Sequence, residues 1–317
     1  MIYPWQHEQW QLFCQQKNKQ RLPHAMLLTG QDGLGKLSIA NQMVAAVLCK
    51  DDTQAEPCGH CHSCQLFAAG NHPDHTFITP EESGKQIKID QIRQLKEKQE
   101  LTPTVANWKT VIISPSENMN ISSNNSLLKL LEEPQTNTLL ILITARQERL
   151  PITILSRCQK VVLSAPEQSV TLNWLQQQGT FDARQIEQIM PLAKGAPLRL
   201  LELIKSNIIE QIQVVETDFN TMLTGKANPI TIAKNWQQYD LMLGFNYLQN
   251  LIKQRLLTKS EQGNNEITRR YWHIYDCILA TIKLLSSSNN INKTLLIEQF
   301  MVSVMDDNWA DNSSINF

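Results

Sequence analysis

Two patterns of apolar residues divide the chain near residue 165. Before it, short apolar runs alternate with stretches that carry apolar residues at helical spacing, which is typical of strands alternating with helices. After Ala165-Pro166 the spacing stays helical and predicts no strand. The predicted strands lie at 25–28, 75–79, 110–114, 139–144 and 159–163. This order predicts an α/β fold in which helices cover both faces of a parallel sheet.

The helical part is predicted to form two further domains. A small one covers 166–207, where Gly195-Ala196-Pro197 predicts a turn before the last helix. The other covers 208–317, with helices around 236–257, 269–285 and 294–305 and a polar, frayed end from Asp306. The whole division is 1–165, 166–207 and 208–317.

Two local signals mark helix ends within the first domain. Asp90 is predicted to cap a helix that carries Ile92 and Leu95 on one face. Pro134 is predicted to stop a helix over 124–133, because proline cannot continue a helix.

The segment Thr29-Gly-Gln-Asp-Gly-Leu-Gly-Lys-Leu37 has the spacing of a phosphate-binding loop. Gly30, Gly33 and Gly35 would let backbone N–H groups approach phosphates, and Lys36 would reach the terminal ones. A predicted strand precedes the loop and a helix over 37–48 follows it, as this kind of site requires. A tight turn is the simpler interpretation of the glycines alone.

Both residues that would hold magnesium at such a loop are missing. Leu37 replaces the Ser or Thr whose hydroxyl binds the metal. The strand over 110–114 ends in Ser114-Pro115 rather than in an acid. Ser38 is no substitute, since the next helical position points about 100° away. The sequence therefore predicts no nucleotide hydrolysis, while the retained Lys36 leaves weak, metal-free nucleotide binding open.

A cluster of cysteines follows the predicted helix. Two-residue gaps let neighbouring thiolates bind one tetrahedral Zn²⁺ at about 2.3 Å. Free thiols and an iron–sulfur cluster are the alternatives. The predicted zinc ligands are Cys49, Cys58, Cys61 and Cys64. The nearby histidines, which are weaker candidates for the same role, are His60, His62, His72 and His75. Four sulfur ligands close the coordination shell, so the zinc would be structural.

Composition limits the remaining functions. The 317 residues are 42% hydrophobic and carry a net charge of −1, so no basic field exists to bind DNA unaided. We find no apolar run of roughly 20 residues and no signal peptide, which leads us to expect a cytoplasmic protein without membrane contact.

Several segments together resemble the bacterial AAA+ clamp-loader family. One is Leu22-Pro-His-Ala25 before the glycine loop, and another is the cysteine insertion after its helix. A third is Ser126-Leu-Leu-Lys-Leu-Leu-Glu-Glu-Pro134. The most specific is Leu150-Pro-Ile-Thr-Ile-Leu-Ser-Arg-Cys158, which ends in a Ser-Arg-Cys triplet.

The resemblance implies a P-loop sheet domain, a helical lid and an α-helical collar used for oligomerisation. It implies that Arg157, within the triplet Ser156-Arg157-Cys158, acts as an arginine finger on a neighbouring subunit's ATP. The implied partners are the delta and gamma/tau subunits in a hetero-pentamer, with the sliding clamp and primer–template DNA reached through the complex. DNA polymerase (nucleotidyltransferase) activity would belong to that holoenzyme, since we expect none of this chain.

Two other functions compete with a non-hydrolysing loader subunit. An ATP-hydrolysing motor subunit of the same machine would need the two missing magnesium ligands. A zinc-dependent nucleic-acid binding protein would need a basic surface, which the net charge of −1 argues against. Arg199 is similar to a sensor arginine but lies one position late, and we interpret it as a helix-surface residue.

Overall fold

A computed structural model describes residues 1–51, 55–82, 84–206, 208–224, 228–260, 265–287 and 292–305. These residues form two compact units. One consists of Met1–Gly179 and Gly195–Arg199, and the other of Thr180–Lys194 and the described residues from Leu200 onward. The division into three domains stays a prediction. Its boundary at 207 and the polar end from Asp306 lie outside the described residues.

A parallel five-stranded sheet organises the first unit. Its strands are β1 (Ala25–Thr29), β2 (His75–Ile78), β3 (Lys109–Ile113), β4 (Thr138–Thr144) and β5 (Gln159–Val162). They lie in the order β2-β3-β4-β1-β5, and every neighbouring pair is parallel. All five predicted strands are confirmed, each to within one residue at either end.

The other regular elements of both units are helices. In the first they are α1 (His7–Asn18), α2 (Lys36–Leu48), α3 (His62–Ala68), α4 (Ile89–Glu100), α5 (Ile121–Glu132), α6 (Ile152–Leu155) and α7 (Gln168–Gln178). The later ones are α8 (Ala183–Ile189), α9 (Pro197–Lys205), α10 (Ile208–Leu223), α11 (Pro229–Trp236), α12 (Leu241–Ser260), α13 (Asn265–Ser287) and α14 (Lys293–Met305). Short 3₁₀ turns lie at Pro4–Gln6, Ser116–Asn118, Gln147–Arg149 and Met190–Ala193.

The interior strand β1 shows why the inner strands of the sheet are so apolar. All five of its residues are buried. Met26 and Leu28 belong to the core on one face, while Ala25 and Leu27 belong to the core on the other. A strand covered on both faces cannot alternate apolar with polar residues. The predicted α/β class, a parallel sheet with helices between its strands, is confirmed.

Several predicted helix starts are wrong, including that of α5, which begins at Ile121 and not at 124. The N-cap of α4 is Lys88, and Asp90 lies inside the first turn, where its charge suits the helix dipole. Ile92 and Leu95 are buried as predicted. Trp236 ends α11 instead of starting the next helix. Asp240 caps α12, because its side chain accepts a hydrogen bond from the backbone N–H of Leu243 at 3.1 Å.

The second unit has an aromatic core of its own. Phe219, Trp236, Phe245 and Phe300 are almost fully buried together. The rings of Phe245 and Phe300 meet edge to face with centroids 4.9 Å apart. Among the helices that the structure describes, none has both the length and the apolarity for crossing a membrane.

Candidate functional sites

The glycine loop occupies the position that a phosphate-binding loop requires. It connects the carboxyl end of β1 to the start of α2, and β1 lies between β4 and β5. In open parallel sheets, ligands bind at the carboxyl ends of the strands, and helix N-termini favour anions.

Lys36 binds the loop itself. Its side chain is only 7% exposed. Its Nζ donates to the carbonyl oxygens of Gly30 at 2.6 Å and Gln31 at 2.8 Å, and lies 3.4 Å from Asp32 Oδ1. A phosphate would have to compete with three acceptors of the same chain for this ammonium group.

Residues 1–6, which we call the N-terminal strap, cover the loop from one side. Gln6 is fully buried, and its Nε2 donates to the carbonyls of Leu34 at 2.8 Å and Gly35 at 2.9 Å. Trp5 Nε1 also donates to the Leu34 carbonyl, at 3.0 Å. Ser38 Oγ donates to the Met1 carbonyl at 2.7 Å, so this hydroxyl is committed to the strap.

Two loop glycines make contacts that a larger residue would prevent. A Cβ on Gly35 would lie 2.7 Å from the Tyr3 ring. A Cβ on Gly33 would lie 2.8 Å from the backbone nitrogen of Arg199. The two φ angles, +76° and +81°, also favour glycine. The loop is thus enclosed by protein groups, which include the first turn of α9. The interpretation of Arg199 as a helix-surface residue did not include its contact with Gly33.

The end of β3 carries no acid. Ser114 and Pro115 follow the strand, and the hydroxyl of Ser116 donates to the Ile143 carbonyl at 3.0 Å. The next acid, Glu117, accepts a hydrogen bond from the backbone N–H of Ala145 at 3.1 Å. Leu37 at the start of α2 is 41% exposed and offers no ligand atom. Sequence reasoning missed Glu117, whose only signal is an acid four residues after the end of β3.

The four predicted cysteines do come together. Their sulfur atoms all lie within 4.8 Å of one another, and those of Cys58 and Cys64 are 4.0 Å apart. A tetrahedral zinc site with Zn–S bonds of about 2.3 Å separates its sulfurs by about 3.8 Å. The cluster therefore has the donor set and approximate size for one such ion.

Backbone N–H groups point at these sulfurs as they do around bound thiolates. Cys58 N–H donates to Cys49 Sγ, Cys61 N–H to Cys58 Sγ and Cys64 N–H to Cys61 Sγ, each at 3.4 Å. Burial raises the pKa of Cys64 to about 12. Burial raises the pKa of Cys61, but hydrogen bonds to its sulfur from backbone N–H groups and from the Cys64 and Cys58 side chains together outweigh burial and lower the pKa to about 6. A bound cation would let all four sulfurs ionise together.

The candidate histidines lie outside the sulfur cluster. Among the residues that the structure describes, the group able to hold a metal consists of cysteines alone. His60 Nδ1 is 2.9 Å from the Cys58 carbonyl oxygen, and His75 Nδ1 is 2.9 Å from Thr110 Oγ1.

His72 instead links the cysteine segment to the sheet. The backbone N–H of Asp74 donates to its Nδ1 at 3.1 Å, so its Nε2 carries the proton. That Nε2 donates to Ser63 Oγ at 2.8 Å, and Ser63 donates to the Leu48 carbonyl at 2.5 Å. Burial lowers the pKa of His72 and keeps the ring neutral.

Arg157 lies between α6 and β5 and is 36% exposed. Its Nη1 donates to the Thr153 carbonyl at 2.9 Å, which also accepts from Ser156 Oγ at 3.2 Å. Its Nη2 lies 2.7 Å from Glu132 Oε1 at the end of α5. Cys158 packs against the sheet core, and burial raises its pKa to about 11, so the thiol stays protonated.

The structure does not bring Arg157 to the loop of its own chain. Gln159 pairs with Met26, whereas Gly30 lies four residues further along the same direction. At about 3.3 Å per residue, these positions are roughly 13 Å apart along the strands. Arg157 precedes Gln159 and so lies at the edge of the sheet formed by the amino ends of the strands. The glycine loop lies at the opposite edge, formed by their carboxyl ends.

Comparison with known proteins identifies the family of the chain. The sequence model of a family described as "DNA polymerase III, delta subunit" matches residues 5–167. DNA polymerase III subunit delta' of Pseudomonas aeruginosa is 32% identical over 98% of this chain and 97% of its own length. The Bacillus subtilis subunit delta' is 36% identical over 63% of this chain and 56% of its own length. A solved gamma subunit-related protein of Thermotoga maritima covers 93% of this chain and 91% of its own, at 19% identity and a TM-score of 0.41.

The family match spans half of the chain, and the likeness to the Pseudomonas protein spans nearly all of it. The chain therefore belongs to the delta-prime family of DNA polymerase III subunits.

Proposed function

We propose that this chain is the non-hydrolysing delta-prime subunit of a bacterial clamp loader. It assembles with delta and gamma/tau subunits, donates Arg157 to the ATP site of a neighbour, and helps to place the sliding clamp on primed DNA. Relatives named tau and tau/gamma match 68% and 47% of the chain, which supports partners of this kind.

The position of Arg157 is the observation that carries the proposal. A partly exposed arginine at the edge of the sheet opposite the loop cannot serve a phosphate in its own chain, but it can serve one bound by another. The guanidinium is permanently charged and forms paired hydrogen bonds with phosphate oxygens. Ile152, 76% exposed on the short helix α6 that precedes Arg157, adds an apolar contact for that neighbour.

The enclosed loop supports the absence of hydrolysis. Leu37 and Ser114 leave magnesium without its two protein ligands. Lys36, the N-terminal strap and the first turn of α9 occupy the surroundings of the loop with contacts of the chain's own. In this proposal the loop has become a structural element that holds the strap in place.

We also propose that Cys49, Cys58, Cys61 and Cys64 hold a structural Zn²⁺. With four protein ligands the ion would have no open position for chemistry, and it would contribute to folding. The Ser63–His72 hydrogen bond would then anchor the metal-bound segment to the start of β2.

Arg157→Ala in the reconstituted loader tests the finger. ATP turnover should be lost at one site, so total turnover should fall in part, and clamp loading should fall further. Arginine fingers contribute about 10³-fold or more at the site they serve. Arg157→Lys should rescue little, because an ammonium group cannot form the two-pronged contact.

Arg93→Ala is a matched control, since Arg93 also forms an exposed ion pair, with Asp90 at 3.3 Å. It should leave turnover unchanged. If Arg157→Ala also leaves both turnover and clamp loading unchanged while assembly is intact, the finger assignment is wrong.

Leu37→Thr tests the loop. This change restores one magnesium ligand but not the strand-end acid, so the isolated chain should still fail to hydrolyse ATP. Magnesium-dependent turnover by the pure, unmodified chain would instead favour the motor-subunit alternative.

A further inference from the structure

Arg157 already has an anionic partner within its own chain. Glu132 Oε1 lies 2.7 Å from its Nη2. A phosphate bound to the same guanidinium would lie within a few ångströms of this carboxylate. The two anions would repel each other and would compete for one cation.

We infer that Glu132 is an internal competitor that holds Arg157 before assembly and is displaced by the neighbour's phosphate. The inference rests on the proposed function of Arg157. The Glu132 carboxylate would thereby weaken the binding of ATP at the neighbouring site and set the nucleotide concentration at which that site responds.

The exposure of the pair makes such an exchange feasible. The side chains of Arg157 and Glu132 are 36% and 48% exposed, so solvent screens their attraction. Exposed ion pairs of this kind change an equilibrium by about two- to fivefold. The bond of Nη1 to the Thr153 carbonyl is independent of Glu132 and would keep the guanidinium oriented after Glu132 leaves.

Glu133 provides the matched control. It carries the same charge one residue later and is exposed, and among the described residues it forms no ion pair with Arg157. A general effect of negative charge at the end of α5 would appear in variants of either residue. An effect of the Arg157–Glu132 contact would appear only in variants of Glu132.

The experiment measures ATP turnover of the reconstituted loader against ATP concentration, with the loader carrying Arg157→Ala as baseline. Glu132→Gln should lower the KM of the Arg157-dependent turnover by about two- to fivefold without changing kcat. Glu133→Gln should change neither. Combining Glu132→Gln with Arg157→Ala should give the behaviour of Arg157→Ala alone, as a double-mutant cycle requires. Thermal unfolding of each isolated variant verifies its fold.

Two results would overturn the inference about Glu132 while leaving the proposed function of Arg157 intact. A rise in KM with Glu132→Gln would mean that the carboxylate aims Arg157 instead of competing for it. Equal shifts with both glutamine variants would mean a general charge effect. An unchanged turnover with Arg157→Ala is a different failure, because it removes the proposed function itself.

Discussion

At the scale of single residues, the glycine loop after β1 has structural contacts that account for several of its residues. Leu37 and Ser114 offer no carboxylate or threonine hydroxyl at the two positions where the proposed function considers magnesium ligands. Gly33, Gly35 and Lys36 each make a contact within the fold. The glycines allow Tyr3 and the start of α9 to approach the backbone, and Lys36 ties the loop carbonyls together.

Substituting Gly35 should show this structural use. Gly35→Ala places a Cβ 2.7 Å from the Tyr3 ring and forces alanine to a φ of +76°. We expect a loss of about 2–4 kcal/mol in stability, from the left-handed backbone and the crowding together. Thermal unfolding of the purified chain measures it.

Gly84→Ala separates the two contributions. Gly84 has a nearly identical φ of +77°, and no atom lies within 4 Å of an added Cβ. The Gly84→Ala variant should lose only the stability that the left-handed backbone costs an alanine, about 1–2 kcal/mol. Equal losses of stability in the two variants would mean that Tyr3 in the strap does not crowd a Cβ at position 35.

At the scale of elements, the cysteine segment after α2 is attached to its neighbouring elements at two points. Cys49 caps the end of α2, and the Ser63–His72 hydrogen bond connects α3 to the residues before β2. The segment between them is short and has few apolar side chains. A metal ion is therefore the expected source of its stability.

Metal measurements on the purified chain should find about one zinc ion per molecule. Cys61→Ser should lower the zinc content and the thermal midpoint, since binding energy at a structural site is folding energy. Cys14→Ser, which changes a thiol outside the sulfur cluster, should keep the metal.

Two results of the metal measurements would count against the zinc assignment. Iron and sulfide in place of zinc would favour the iron–sulfur alternative. A metal-free chain of unchanged stability would leave the cysteines as free thiols.

At the scale of the whole molecule, each compact unit has a core of its own. The aromatic core of the second unit draws its residues from Val215 to Val304, all within the predicted domain 208–317. A cluster that needs no residue from the rest of the chain is a sign of independent folding.

The fragment 208–317 should consequently fold alone. Its circular dichroism should show a helical spectrum and a cooperative thermal transition, since burial of Phe219, Phe245 and Phe300 supplies the driving force. Replacing Phe245 by Ala should lower its midpoint or abolish the transition, because large-to-small core changes cost about 3–5 kcal/mol. A helical fragment that melts without cooperativity would show that the boundary at 207 is misplaced.

The sequence by itself determined the features whose signal is local. The strands β1, β3 and β4 are buried runs of neighbouring residues, the loop is seven consecutive positions from Gly30 to Lys36, and three of the cysteines follow a two-residue spacing. The chain also contained the signal for α1, in Trp10 and Phe13 at helical spacing, but the polar residues around them hid it.

Only the tertiary structure decided which distant residues meet. Gln6 reaches carbonyls 28 and 29 residues away, and Arg157 meets Glu132 because α5 and α6 pack together. Arg157 lies away from its own loop because β5 pairs in parallel with β1 and begins at the opposite edge. Such contacts depend on strand order and helix packing, which no local spacing encodes. The sequence could therefore identify the glycine loop and Arg157 as candidate sites. Only the fold shows that they lie at opposite edges of the sheet, formed by the carboxyl and the amino ends of the strands.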